Sequence, residues 1–168
     1  MMLKLIGMIM IIMTTSLIGT NFSGALTQRV KRLKNIEIMF DTMATLIKFK
    51  AATTGEILSE LAKDATFDDL IFIHNARSSY EDSNPFPQAW KDGVDSDISL
   101  KDDEKQLLFS AGRSLGTSDC DGQLSMLEIY RHNIAGMYER AKEESVNKGR
   151  LYRSLGVLTG VFISVMLV

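Results

Sequence analysis

Two stretches without a charge bracket this chain: residues 5–28 and residues 154–168 contain no Asp, Glu, Lys or Arg. About 20 apolar residues suffice to cross a hydrocarbon core of about 30 Å, so the run Leu5 to Leu26 has the length of a membrane span. The middle of the chain is different, because all the charged residues except Lys4 fall between Arg29 and Arg153. At 24% charged residues overall the chain is too polar for a polytopic membrane protein and has enough apolar content, 45%, for one domain with a core. An ordinary soluble enzyme, a secreted disulfide scaffold and a nucleic-acid-binding module all fit this layout poorly. Cys120 is a single cysteine and has no intrachain partner, so nothing asks for an oxidising compartment.

The N-terminal run admits two readings. Lys4, the core Leu5 to Met13 and the small residues Ser23, Gly24 and Ala25 resemble a cleaved signal peptide. Against cleavage stands the cluster Arg29, Lys31, Arg32 and Lys34, because positive charge beside an apolar segment favours retention on the cytoplasmic side. The anchor is the favoured reading. The C-terminal run is shorter, and its fifteen residues rise only ~22 Å as a helix. It spans if Leu151 and Tyr152 join it and Arg153 reaches back to the interface. Leu155, Val157, Leu158, Val161, Phe162, Ile163 and Val165 leave no polar face around its axis. Small residues recur every fourth position in both runs, at Thr15, Gly19 and Ser23 and at Gly156, Gly160 and Ser164, a spacing that lets membrane helices approach closely.

The net charge of −2 conceals a strong segregation. Residues 29–50 carry six Lys/Arg against two acids, and residues 131–153 carry six against three. Residues 52–128 carry six against sixteen, a local charge of −10. Lys4, Arg29, Lys31, Arg32, Lys34, Arg150 and Arg153 thus flank the apolar runs, and the larger clusters lie on their central side, which predicts a cytoplasmic centre. The expected organisation is an N-terminal anchor over 1–25, a cytoplasmic helical bundle over 26–150 and a C-terminal transmembrane helix over 151–168.

Between the anchors the periodicity is helical throughout. Leu26, Val30, Leu33, Ile36, Phe40, Met43 and Ile47 describe one helix that continues from the first anchor to about Lys50. Thr53-x-x-Glu56 reads as a capping box ahead of Ile57, Leu58 and Leu61. Thr66-x-x-Asp69 opens a further helix with Phe67, Leu70, Ile71 and His74 on one face, and Pro87 suits the first turn of a short helix carrying Trp90. Ser99-x-x-Asp102 opens the next, burying Leu107, Leu108, Ala111 and Leu115 before Gly116. The last helix starts near Asp119 and, with no proline after Pro87, runs unbroken into the C-terminal apolar stretch. The fold class is therefore all-α, a bundle of about six helices whose acidic turns are expected at the end farthest from the lipid.

Chemical motifs are sparse. Thr117-x-Asp119-x-Asp121-Gly122-x-Leu124-x-x-x-Glu128 reproduces most of an EF-hand-like calcium loop, which makes a calcium-responsive membrane sensor the alternative function. Thr117 replaces the first carboxylate, and the plainer reading has Asp119 capping the final helix. His74 reads as packed on an apolar face and His132 as solvated, and Cys120 has no placed partner for metal or thiol chemistry. No cofactor and no catalytic set is expected. Asp92, Asp95, Asp97, Asp102, Asp103 and Glu104 crowd into thirteen positions and form the candidate docking surface for a basic partner.

Two segments carry a family resemblance. Met2-Leu3-Lys4-Leu5-Ile6-Gly7 with Thr15-Ser16-Leu17-Ile18-Gly19, and Leu115-Gly116-Thr117-Ser118-Asp119 followed at length by Tyr152-Arg153-Ser154-Leu155-Gly156-Val157-Leu158-Thr159-Gly160, are similar to the stage III sporulation protein AB family of endospore-forming bacteria. The resemblance implies a component of the channel joining mother cell and forespore, in the mother-cell membrane around the forespore. It further implies a cytoplasmic fold similar to the platform protein F of type II secretion, working beside a cytoplasmic ATPase, the stage III AA-like protein, and other membrane components of the channel. Membrane lipid is an expected partner, self-association is left open, and nucleic acid is not expected.

Overall fold

The computed structural model describes the backbone of residues 2–166, and the side chains of most residues up to 22 and of many from 150 onward lie outside the described residues. Among the described residues there are six α-helices, one short 3-10 turn and no strand: α1 (Met2–Lys50), α2 (Thr54–Lys63), the 3-10 turn (Ala65–Phe67), α3 (Ile71–Glu81), α4 (Phe86–Ser96), α5 (Asp102–Ser114) and α6 (Cys120–Met166). The chain divides into two compact units. One comprises residues 1–31 and 137–168, and the other residues 32–136.

The central unit, 32–136, holds the core. From α1 it buries Leu33, Ile36, Met39, Phe40, Met43, Leu46 and Ile47, at the steps of three and four that a single buried helical face requires. A stop at Lys50 has no glycine or proline to make it. Instead Ala51 takes a left-handed conformation, φ 47°, and the amides of Ala51 and Ala52 return to the carbonyls of Ile47 and Leu46. The expected capping box then opens α2: the Thr53 amide donates to Glu56 Oε2 at 2.8 Å and the Glu56 amide to Thr53 Oγ1 at 3.3 Å. The hydrogen bond from the Thr53 backbone, with that of its hydroxyl, holds the Glu56 carboxyl below its ordinary pKa.

Two helix starts differ from the sequence expectation. Thr66-x-x-Asp69 does not cap a helix: Asp64 accepts from the Thr66 amide at 2.9 Å to form the 3-10 turn, and Asp69 accepts from Asn35 Nδ2 at 2.7 Å. The next helix starts only at Ile71. This later start leaves Ile71 exposed and His74 partly exposed, with His74 Nε2 4.0 Å from Asp68 Oδ1, so His74 is not packed on an apolar face. Likewise Ser99 does not cap α5, which starts at Asp102 with the Lys101 amide donating to Glu104 Oε2 at 3.1 Å. Leu107 is only partly buried.

Trp90 is the hub of α3, α4 and α5. Its ring is fully buried, meets Phe72 edge-on at 5.5 Å between centroids, tilts against Phe86 at 5.7 Å, and donates from Nε1 to the Leu108 carbonyl at 2.8 Å. α5 presents Gly112 to this ring, and a Cβ there would stand 2.2 Å from Trp90 Cδ1. α3 and α4 cross as closely at Gly93, where a Cβ would stand 2.4 Å from the Phe72 carbonyl oxygen. Overfilling such a contact costs roughly 1–3 kcal/mol. Gly112→Ala is therefore expected to lower the unfolding free energy by about that amount. Gly136→Ala, in α6 with nothing within 4 Å of its added Cβ, is expected to raise it by about 0.5–1 kcal/mol through helix propensity. Urea denaturation midpoints of the two variants check the opposite signs.

Candidate membrane and partner surfaces

In the unit formed by residues 1–31 and 137–168, α1 and α6 pair antiparallel. Ser23 is buried, and a Cβ on Gly149 would lie 3.1 Å from its Oγ and 4.0 Å from its Cβ. Farther along, Arg29 Nη1 donates to Glu144 Oε2 at 3.3 Å, and Glu144 also accepts from Lys148. Glycine at 149 and serine at 23 let the backbones approach, and the Arg29 ion pair fixes the register. Pairing within the chain is directly checkable, because the 4.0 Å Cβ separation lies inside the 3.5–4.5 Å range of a disulfide. In a Cys120→Ser background, Ser23→Cys with Gly149→Cys is expected to oxidise to a monomer of increased gel mobility. A predominantly dimeric product would show pairing between chains instead.

Several of the described large apolar side chains of this unit are exposed, while Ala141 is buried and Leu26, Val30 and Met137 are partly buried. Met10, Met13 and Leu17 on α1 are exposed at steps of three and four, as are Leu151, Leu155, Leu158 and Phe162 on α6. Rows of large exposed apolar side chains mark interaction surfaces when they join into one patch. Among the described residues no helix is long and apolar enough to cross a membrane. The expectations placed on Lys4, Arg150, Arg153, Gly19, Gly156 and Gly160 lie outside the described residues. Of the other basic residues, Lys31 and Lys34 are exposed and Arg29 and Arg32 partly buried.

In the central unit the six carboxylates of the proposed docking surface do not form one surface. Asp92, Asp95, Asp102 and Asp103 are exposed, but Asp97 and Glu104 are 1% and 0% exposed. Asp97 is consumed by the turn between α4 and α5: its Oδ1 accepts from the Ser99 amide at 2.9 Å and from the Ser99 hydroxyl. Its Oδ2 is buried with no hydrogen-bond partner among the described residues, a condition that costs about 1–3 kcal/mol, more for a charge. Glu104 is consumed by the start of α5, where a carboxylate meets the positive end of the helix dipole. The Arg32 guanidinium donates to the Ser99 carbonyl and so ties this turn to α1 within the central unit. Asp-x-Ser is a side-chain turn signature that could have revealed the role of Asp97. The full exposure of Ile98, at 97%, was missed as well.

Arg131 of α6 gathers three carboxylates: Glu128 in its own helix, and Glu37 and Asp41 of α1 at 3.7 and 3.4 Å. The hydrogen bond from Arg131 lowers the Glu128 carboxyl below its usual range. Of the segment 117–128 only Thr117 to Asp119 lie outside a helix: Asp119 caps α6, accepting from the Gly122 amide at 3.0 Å, and α6 runs from Cys120 to Met166. Asp121 and Glu128 therefore lie two turns apart along one helix rather than around one ion. No group of three His, Cys, Asp or Glu placed to hold a metal ion occurs among the described residues. His132 and Cys120 are exposed.

An antiparallel stem pair that exposes apolar side chains, continuous in sequence with a helical unit built on a tryptophan hub, defines an all-helical class of protein. Residues 4–168 match the family model for stage III sporulation protein AB. The chain belongs to that family. It is also similar to the stage III sporulation protein AB of Bacillus subtilis (strain 168), 21% identical over 171 residues and covering 99% of both chains. No solved structure matches.

Proposed function

We propose that this chain is a non-enzymatic, membrane-anchored assembly component of the channel between mother cell and forespore, one that couples a cytoplasmic ATPase to the mother-cell membrane. The observation that carries the reading is the pair of apolar rows on the stem unit, where Met10, Met13 and Leu17 of α1 and Leu151, Leu155, Leu158 and Phe162 of α6 are exposed at helical spacing. A lipid surround satisfies such stripes, and the uncharged runs 5–28 and 154–168 supply the length. The basic residues on the central side of both runs orient the central unit to the cytoplasm.

The docking surface for the ATPase is the exposed set Asp92, Asp95, Asp102 and Asp103, without Asp97 and Glu104. Complementary charge there chiefly speeds encounter and selects the partner. Replacing these four with lysine is expected to abolish capture of the stage III AA-like ATPase from sporulating cells while leaving the helical circular dichroism signal and carbonate-resistant membrane association intact. Binding should also weaken with salt, since the Debye length falls from ~10 Å at 0.1 M to ~3 Å at 1 M. Wild-type capture by the folded variant would remove this surface from the reading. Extraction of the unaltered protein by alkaline carbonate would remove the anchors.

A further inference from the structure

The turn between α4 and α5 displays an isoleucine that its own fold does not use. Ile98 is 97% exposed, while Val94 and Leu100 on either side of it are buried. The backbone beneath it is held from several sides. The Asp97 amide donates to the Val94 carbonyl at 3.3 Å, the Leu100 amide donates to the Asp97 carbonyl at 3.4 Å, and Asp97 Oδ1 accepts from the amide and hydroxyl of Ser99. From outside the turn, the Lys105 ammonium donates to the Asp95 carbonyl at 2.9 Å and the Arg32 guanidinium to the Ser99 carbonyl. None of these bonds involves the Ile98 side chain, so a polar residue there would leave every one of them in place. Single exposed apolar residues are ordinary on protein surfaces. This one stands at the tip of a backbone that is already fixed, and a tip that loses little further freedom on binding turns most of its burial into affinity.

We propose that Ile98 is the apolar anchor of the docking surface: it enters an aliphatic pocket, rimmed by basic side chains, on the partner that the neighbouring carboxylates select. The inference rests on the docking reading above and adds the residue that holds the partner once it has arrived. Asp95, Asp102 and Asp103 are exposed and lie within five positions of Ile98. The turn brings together five carboxylates, Asp95, Asp97, Asp102, Asp103 and Glu104, and three cations, Arg32, Lys101 and Lys105, for a charge of −2. Arg32 and Lys105 are partly buried and donate to backbone carbonyls, so that Lys101 alone of the three is exposed. An incoming surface therefore meets an aliphatic side chain set among carboxylates. A purely apolar surface would strip water from those carboxylates without pairing them, and a basic surface without a pocket would leave Ile98 in water. A pocket with a basic rim satisfies both, in the usual arrangement of an apolar centre inside a polar border. The two parts then act on different steps: charge sets the rate of encounter, and the buried side chain sets the rate of escape.

The test uses the full chain in detergent, with a dye on Cys120, its single cysteine, and the purified stage III AA-like ATPase. Association and dissociation are followed by fluorescence anisotropy at several salt concentrations. Ile98→Ala is expected to speed dissociation about tenfold or more, the size that goes with losing a buried aliphatic side chain, while the association rate and its fall with salt stay as in the unaltered chain. Ile98→Val is expected to remain close to the unaltered chain, and lysine at Asp92, Asp95, Asp102 and Asp103 to abolish association. Unchanged dissociation in Ile98→Ala, with binding lost in the four-lysine variant, would overturn the anchor and leave the docking surface standing. Unchanged binding in both variants would overturn the docking surface and the anchor with it, as would an unaltered chain that does not bind. Urea midpoints are measured alongside, and faster dissociation accompanied by a lower midpoint would mean that Ile98 supports the fold, which also overturns the anchor.

Discussion

The fit of Trp90 against Gly112 is the constraint on which the central unit depends. An indole can be fully buried only where its N–H finds an acceptor, and the Leu108 carbonyl supplies one at 2.8 Å. That carbonyl is one turn before Gly112, so the residue that leaves room for the ring and the residue that satisfies it lie on the same face of α5. Phe72 and Phe86 then close on the ring from α3 and α4, and the close crossing of those helices at Gly93 follows. Three short helices, each too short to persist alone in water, are stable because they share this aromatic centre.

Two uses of apolar surface coexist in one chain. From Leu33 to Ile47 the apolar face of α1 is turned into a core, whereas Met10, Met13 and Leu17 of the same helix are exposed. Helical spacing is the same in both segments, so periodicity alone does not separate a buried stripe from an outward one. The charged residues do: Lys34, Glu37 and Asp41 mark the solvent side of the buried segment, and the segment before Arg29 has no charged side to mark.

Much of the architecture was legible because helices are written in local signals. The long α1 and α6, the box at Thr53 and Glu56, the cap at Asp119 and the glycine stop at Gly116 all depend on residues within one turn of each other. The family resemblance read from the terminal segments also agrees with the family match. What failed depended on contacts distant in sequence or on competing local bonds. Thr66 and Ser99 look like caps, but Asp64 and Asp97 reach them first with side-chain turns, and Asp69 is drawn away to Asn35 on α1. The acidic cluster was read as one surface because charges are usually solvated. Two of its members, Asp97 and Glu104, are instead spent on ordering backbone, which composition cannot reveal.

The ion pair between Arg29 and Glu144 joins residues 115 positions apart. A ribosome adding roughly 5–20 residues per second needs on the order of 6–20 s to cover that distance. For that interval the first stem helix exists without its mate, Ser23 faces no Gly149, and the stripe of Met10, Met13 and Leu17 is only part of the apolar surface left uncovered. The short helices around Trp90 contact one another over much smaller separations and can settle as they emerge. Synthesis thus orders assembly: the residues around Trp90 are all present while the chain is still growing, and the partners of the stem pair come together last.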